Sequence, residues 1–353
     1  MRLLSLDILR GITVAAMIVV NNGFGDSFAP LCHSKWNGLT PCDLVFPFFL
    51  FIMGVSTYFS LAKSQFKSSP SLMRKILRRA IALFAIGLLL NWFELATKGD
   101  MLCFEHLRIW GVLQRIAICY FILSVLVLNV SHKWILHIAI GILVVYAATL
   151  LLGNGYAEDA SNIVARVDNA IFGQDHLYRK SPVDPEGLLS TLPAVAHVII
   201  GFYVGMRIKK ADTVGHKAFY TLLIAAVLII VGYLLAFLMP PNKRIWSPSY
   251  VLLTCGLAAA AFGILIYTLD MRKTQCWYTF FHVFGINPIA IYAFSEILSV
   301  VFKRTGANEA VFDPIKFLVP HQQTASIVYA LVFLLLNYCV GYLLYKKKIF
   351  LKL

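Results

Sequence analysis

One short stretch of the chain concentrates reactive side chains. His33-Ser34-Lys35-Trp36-Asn37-Gly38-Leu39-Thr40-Pro41-Cys42-Asp43 sets an imidazole, an indole, an amide and a carboxylate directly before a very apolar run. Histidine is the side chain whose ordinary titration falls near neutrality. A carboxylate on one ring nitrogen fixes the tautomer, so that the other nitrogen can take a proton. His33 and Asp43 are therefore the candidates for general-base work. Thr40-Pro41 reads as a helix start, with Thr40 as N-cap and Pro41 at the first helical position. Asp43 then falls in the first turn, where the helix dipole favours negative charge. The competing reading is an inert loop histidine beside an interfacial tryptophan.

Other polar groups interrupt apolar segments, where ionisable side chains are costly and point to function by default. Asp7 and Arg10 stand three apart and can pair on one helical face. Asn21 and Asn22 close the same segment, as a cap or as amide donors and acceptors toward a ligand. In Leu107-Arg108-Ile109-Trp110-Gly111-Val112-Leu113-Gln114-Arg115, the two arginines are seven apart and fall on nearly one face if the segment is helical. With Gln114 they suit an anion such as phosphate; structural pairing with Glu94, Glu105 or Asp7 is the alternative. Glu296, and Asn287-Pro288 before it, are further polar points. His197 has no evident partner and reads as a buried core residue.

The elements that must hold these groups follow from composition. Of 353 residues, 59% are hydrophobic and only 14% charged, and the mean hydropathy is +0.77. Soluble domains run about 45–50% apolar and about 25% charged, so a soluble fold is excluded. A spanning helix needs about 20 mostly apolar residues. Spans are expected near 7–24, 43–62, 77–96, 108–129, 134–152, 188–207, 217–239, 249–269, 278–302 and 324–345. The fold class is thus all-α, a polytopic transmembrane bundle of about ten spans, read as one domain over 1–353 with no soluble domain. The first apolar segment contains Arg10 and lacks a small-residue cleavage site, so it reads as a span and not a signal peptide. With the N-terminus inside, 18 of the 31 lysines and arginines fall in cytoplasmic segments. The positive-inside rule then puts both termini in the cytoplasm and His33 on the other side. It also accounts for the net charge of +14 without nucleic acid.

Cys32, Cys42 and Cys103 share the outer side, which leaves room for one disulfide among them. No H-x-x-H, H-E-x-x-H or paired Cys/His spacing suggests a metal, and neither G-x-x-x-x-G-K-[ST] nor G-x-S-x-G is present.

Several motifs together resemble the transmembrane heparan-α-glucosaminide N-acetyltransferase family. They are Ser5-Leu6-Asp7 with Arg10-Gly11, Val20-Asn21, the His33–Pro47 segment running on to Phe51-Ile52-Met53-Gly54, Arg108-Ile109 with Gly111-Val112-Leu113-Gln114-Arg115, Asp175-His176-Leu177-Tyr178, Asp184-Pro185-Glu186-Gly187, Asn242-Lys243 with Trp246-Ser247 and Ser249-Tyr250, and Lys347-Lys348-Ile349-Phe350. The resemblance implies a membrane enzyme moving acetyl from cytosolic acetyl-CoA, its co-substrate, to the amine of a glucosamine-type sugar on the opposite side. It makes His33 the active-site histidine, Asp43 its carboxylate and Asn21 the asparagine ending the first span. Arg108, Gln114 and Arg115 become the polar face of a following span. Asn21, Asn37 or amides opening the second span would hold the oxyanion. The donor's phosphates would meet the cluster Arg74, Lys75, Arg78 and Arg79, or else Arg108 and Arg115. The animal enzyme has a histidine at Ser295, and carries a luminal N-terminal domain and one further span that have no counterpart here. A smaller amino sugar or cell-wall fragment is then the expected acceptor. The implied setting is a cell (inner) membrane, with the lipid bilayer, acetyl-CoA and the sugar as partners, a homodimer left open, and no nucleic acid or metal. A membrane transporter for an amino sugar such as N-acetylglucosamine is the alternative, since transporters also use intramembrane polar residues.

Overall fold

At three places a hydroxyl residue followed by proline opens a helix: Thr40-Pro41, Ser69-Pro70 and Ser247-Pro248. Proline lacks the N–H that a first turn leaves unbonded, and the hydroxyl can accept from the next free amide. The Ser69 and Ser247 hydroxyls accept from Leu72 and Tyr250 in this way. The computed structural model describes residues 3–99, 104–178, 181–273 and 278–351. They form α1 (Leu4–Asn21), α2 (Pro41–Leu61), α3 (Pro70–Ala96), α4 (Val112–Asn129), α5 (Ile135–Leu152), α6 (Ile163–Phe172), α7 (Thr191–Lys210), α8 (Val214–Ala236), α9 (Pro248–Leu265), α10 (Tyr278–Ile286), α11 (Pro288–Thr305), α12 (Ala307–Leu318) and α13 (Gln322–Lys346), with no strand among the described residues. Nine of the helices are long and apolar enough to cross a bilayer. The protein is an all-helical, multi-pass membrane bundle.

The segment expected as a ninth continuous span, 278–302, is broken. Asn287-Pro288 separates α10 from α11, and the two are bent by 86°. Proline cannot supply the helical N–H, and the residue before it is driven out of the helical region. The freed Asn287 side chain is satisfied by the C-terminal segment: it donates to Ile349 O at 2.9 Å and accepts from Leu351 N–H at 2.9 Å. Close helix crossings depend on small residues. Gly54 of α2 and Gly201 of α7 let those backbones meet, as do Gly11 of α1 and Gly285 of α10.

The bundle has two distinct ends. At one, Leu4 N–H donates to Asp270 at 3.1 Å, Arg10 reaches Gly285 O at 3.2 Å, and Asn287 binds the C-terminal segment. The first and last described segments of the chain therefore lie at this end. At the other, the loops after α1, α3, α5 and α8 meet and build the site. The long loop between α5 and α7 is not irregular throughout, since it contains α6. Asp168 of α6 is fully buried and gives Leu189 N–H an acceptor at 3.1 Å, while its second oxygen has no partner. Burial pushes this carboxyl up to about 6, and nearby Asp184 adds to the shift.

A testable consequence concerns stability. A carboxylate whose folded pKa is raised favours folding below its unfolded value and loses that contribution as pH rises through about 6. Asp168→Asn keeps the acceptor for Leu189 and removes the ionisation. It should raise stability above pH 6 by on the order of 2 kcal/mol, with the gain fading toward pH 4. Thermal unfolding of detergent-purified protein across pH measures this, and a pH-independent difference would refute it.

Candidate active site

The site is built around the start of α2. His33 Nδ1 lies 2.8 Å from Asp43 Oδ1. Asp43 itself is fully buried, and its Oδ2 accepts from Ser34 N–H (3.1 Å), Thr40 N–H (3.1 Å) and the Thr40 hydroxyl (3.0 Å). The carboxylate thus folds the histidine loop back onto the helix start while it orients the ring. The Tyr250 hydroxyl, from α9, donates to Asp43 O at 2.7 Å and fixes the helix start from below. His33 is about half exposed at 51% of its side chain, so the imidazole opens to the cleft while its carboxylate does not. Cys32 and Cys42 are free thiols, and Cys42 Sγ lies 3.1 Å from His33 Nδ1. Cys103 lies outside the described residues.

A residue with no assigned role in the sequence reading completes the group. Lys243 Nζ sits 3.1 and 3.2 Å from the two ring nitrogens of His33 and 3.8 Å from Asp43 Oδ1. Burial pulls its ammonium below the ordinary lysine range, against the opposing pull of Asp43 and Glu186. Its loop is fixed by side-chain bonds. Asn242 Oδ1 accepts from Arg244 N–H at 2.9 Å and Ile245 N–H at 3.2 Å, while Asn242 Nδ2 donates to Asn37 Oδ1 at 3.1 Å. Gly38, at φ 131, donates to Pro241 O at 2.8 Å, a conformation that a side chain at this position would strain. Trp246 is fully buried and left-handed at φ 53. The only sequence signal for Lys243 was its place in the Asn242-Lys243 motif, because the contact joins residues 210 positions apart.

The remaining candidates fall in three other places. Arg108 is not helical: it lies in the segment before α4, where Ile109 N–H bonds to His176 O at 3.2 Å. The expected shared helical face with Arg115 is therefore absent. Arg108 pairs with Asp184 at 2.5 Å and Glu186 at 2.8 Å, partners outside those expected from the sequence. Burial works against the charges of Arg108 and Glu186, but the pairing wins, raising the guanidinium and lowering the carboxyl. Arg115 is fully buried, donates to Gly187 O and the Ser190 hydroxyl, and has its guanidinium 4.9 Å from the Trp246 ring centre. Arg108 is held by its two carboxylates, whereas Arg115 bonds through Nη2 alone and keeps Nε and Nη1 buried without a partner. Gln114 is buried against Gly87 and Gly111, and lines a cavity of about 70 Å³ with Asn91, Tyr292 and Glu296. Asn21 and Tyr292 face the Glu296 carboxyl. Arg79 lies at the terminal-bearing end. With Arg10, Ser56 and Lys63 it lines a cavity of about 490 Å³.

These cavities form a line through the bundle. The one at Arg79 adjoins a narrow apolar gap of about 10 Å³, with Phe49, Ile116 and Ile289 lining both. That gap in turn shares Val112, Leu113 and Tyr292 with the cavity at Gln114 and Glu296. Beyond it, Asn91 donates to Arg108 O at 2.8 Å and Arg108 pairs with Glu186, whose negative charge favours the Lys243 ammonium.

Residues 2–177, which carry the His33–Asp43 pair, match the model of the family described as heparan-alpha-glucosaminide N-acetyltransferase, catalytic. The chain belongs to this family. The heparan-alpha-glucosaminide N-acetyltransferases of Homo sapiens and Mus musculus are each 28% identical to it over 417 aligned positions, covering 100% of this chain and 60% of theirs. The chain thus spans about 60% of the length of those curated relatives. The N-acetyltransferase family match takes in the candidate dyad, α1 through α6, Asn21, Asn37, Arg79, Arg108, Gln114 and Arg115; Lys243, Asp184 and Glu186 lie beyond it.

Proposed function

We propose that this protein transfers acetyl from cytosolic acetyl-CoA to the amine of a glucosamine-type sugar on the other side of the membrane. The observation that carries this reading is the His33 imidazole, oriented by a buried Asp43, at the opposite end of the bundle from a cationic cavity. In this reading the termini are cytoplasmic, in a cell (inner) membrane, and the phosphates of acetyl-CoA meet Arg10, Lys63 and Arg79. Phosphate needs such cations, because hydrocarbon offers it no solvation. The acyl arm follows the line of cavities toward Gln114. At the far end the neutral amine attacks the thioester carbon while His33 takes its proton, a step worth about 10²–10⁴-fold.

A second reading, an amino-sugar transporter, draws on the broken pair α10–α11, since discontinuous helices are common at transporter sites. Proteoliposomes separate the two. Acetyl-CoA-dependent release of free CoA on addition of glucosamine supports the enzyme. Uptake of labelled sugar without acetyl-CoA supports the transporter and overturns the proposal.

Orientation has its own test. A cysteine at position 34, in a variant lacking Cys32, should react with a membrane-impermeant maleimide added outside intact cells. Labelling only after permeabilisation would remove acetyl transfer across the membrane from consideration.

A further inference from the structure

Lys243 is too close to the reacting groups to be a bystander. Its Nζ touches both ring nitrogens of His33 at 3.1 and 3.2 Å, one of which is already held by Asp43. An ammonium on the free nitrogen occupies the lone pair that a base must use. Lys243 therefore has to leave the ring when substrate arrives, and the place to which its charge moves decides its role. His33, Cys42, Asp43 and Glu186 are the titratable groups acting on it, and two of them are carboxylates. The loop that carries it is fixed through Asn242 to Asn37 and through Gly38 to Pro241. The side chain can thus shift while its backbone stays in register with the imidazole.

Resting on the acetyl-transfer reading, we propose that Lys243 is a further catalytic residue: it caps the His33 imidazole at rest and becomes the cation that holds the thioester oxyanion. The neutral amine nitrogen forms a bond to the thioester carbon, and the carbonyl electron pair moves onto oxygen beside the Lys243 ammonium. His33 takes the proton from nitrogen. Collapse restores the carbonyl and breaks the carbon–sulfur bond. The imidazolium then returns its proton to the departing thiolate, giving amide and free CoA with nothing left over. A fixed charge aimed at the developing oxyanion is the kind of group whose removal costs about 10²–10³-fold in kcat. Asp43 and Glu186 support that charge in the resting site.

The test compares wild type, His33→Ala, Lys243→Gln, Lys243→Met and Lys243→Arg in proteoliposomes, with CoA release read across pH and acetyl-CoA binding measured separately. Lys243→Gln and Lys243→Met should lower kcat about 10²–10³-fold, with acetyl-CoA affinity unchanged within threefold. Lys243→Arg should recover at least tenfold over Lys243→Gln and move the alkaline limb of the kcat profile to higher pH, because guanidinium keeps its proton where a depressed lysine loses it. Two results would overturn the proposal: kcat in Lys243→Met within threefold of wild type, or an alkaline limb that Lys243→Arg leaves in place. Wild type inert toward every amino sugar would instead overturn the acetyl-transfer reading, so the two failures are distinguishable. Thermal unfolding of each variant separates loss of chemistry from loss of fold.

Discussion

His33→Ala should reduce acetyl transfer by at least about 10²–10⁴-fold while acetyl-CoA still binds with wild-type affinity. The neutral amine must shed a proton as its nitrogen bonds to the thioester carbon, and the imidazole is the base that takes it. The substitution removes the imidazole and touches no lining residue of the cavity at Arg79. Asp43→Asn should also lower kcat with little change in binding. It keeps an acceptor for some of the Ser34 and Thr40 donors, yet no longer dictates which ring nitrogen carries the proton. The geometry favours a base over a nucleophile. The ring is held by Asp43 on one nitrogen, so a swing from thioester to sugar would break the bond that orients it. Acetyl-CoA supplied without sugar should therefore leave His33 unmodified in mass spectrometry. A trapped acetyl-imidazole would install the nucleophilic route, and full turnover in His33→Ala would remove the dyad from the mechanism.

Combined Lys63→Ala and Arg79→Ala should weaken acetyl-CoA binding by about tenfold or more for each anchor lost, and flatten its salt dependence. Both residues line the cavity of about 490 Å³ at the terminal-bearing end. Arg10 lines it too, but it also pairs with Asp7 and bonds Ser56 and Gly285, so its loss would confound affinity with folding. Arg74 and Arg78 give the internal comparison. They belong to the same basic run but are exposed on α3, and their replacement should change affinity less than threefold. Titration calorimetry at two salt concentrations measures the difference. Equal affinity in wild type and the double variant would move the phosphates elsewhere, and equal losses at Arg74 and Arg79 would make the effect one of general surface charge.

The amino-acid sequence determined the class of fold because apolar runs of spanning length need no partner to be recognised. Most boundaries followed within a few residues, as with Ile135–Leu152 and Gln322–Lys346 against 134–152 and 324–345. The His33–Asp43 pair was also legible, since it spans only ten residues and Thr40-Pro41 marks where the helix begins. Local physics sufficed there. Arg108 shows where it ceased to suffice. Helical spacing put Arg108 beside Arg115, whereas the segment lies outside the helix, with Ile109 bonded to His176, and Arg108 meets Asp184 and Glu186, more than 70 positions away. The break at Asn287 likewise takes its satisfaction from Ile349 and Leu351 at the far end of the chain. Lys243 is the clearest instance, for apart from the Asn242-Lys243 motif nothing within its own loop distinguishes it from a solvated lysine. Its nearness to the imidazole is created by α9 docking under α2 through Tyr250 and Asp43, and by the Asn37–Asn242 and Gly38–Pro241 bonds. Residue types and short spacings decide which groups can do chemistry, but a buried charge takes whatever partner the packed bundle brings within reach, and that choice belongs to tertiary structure.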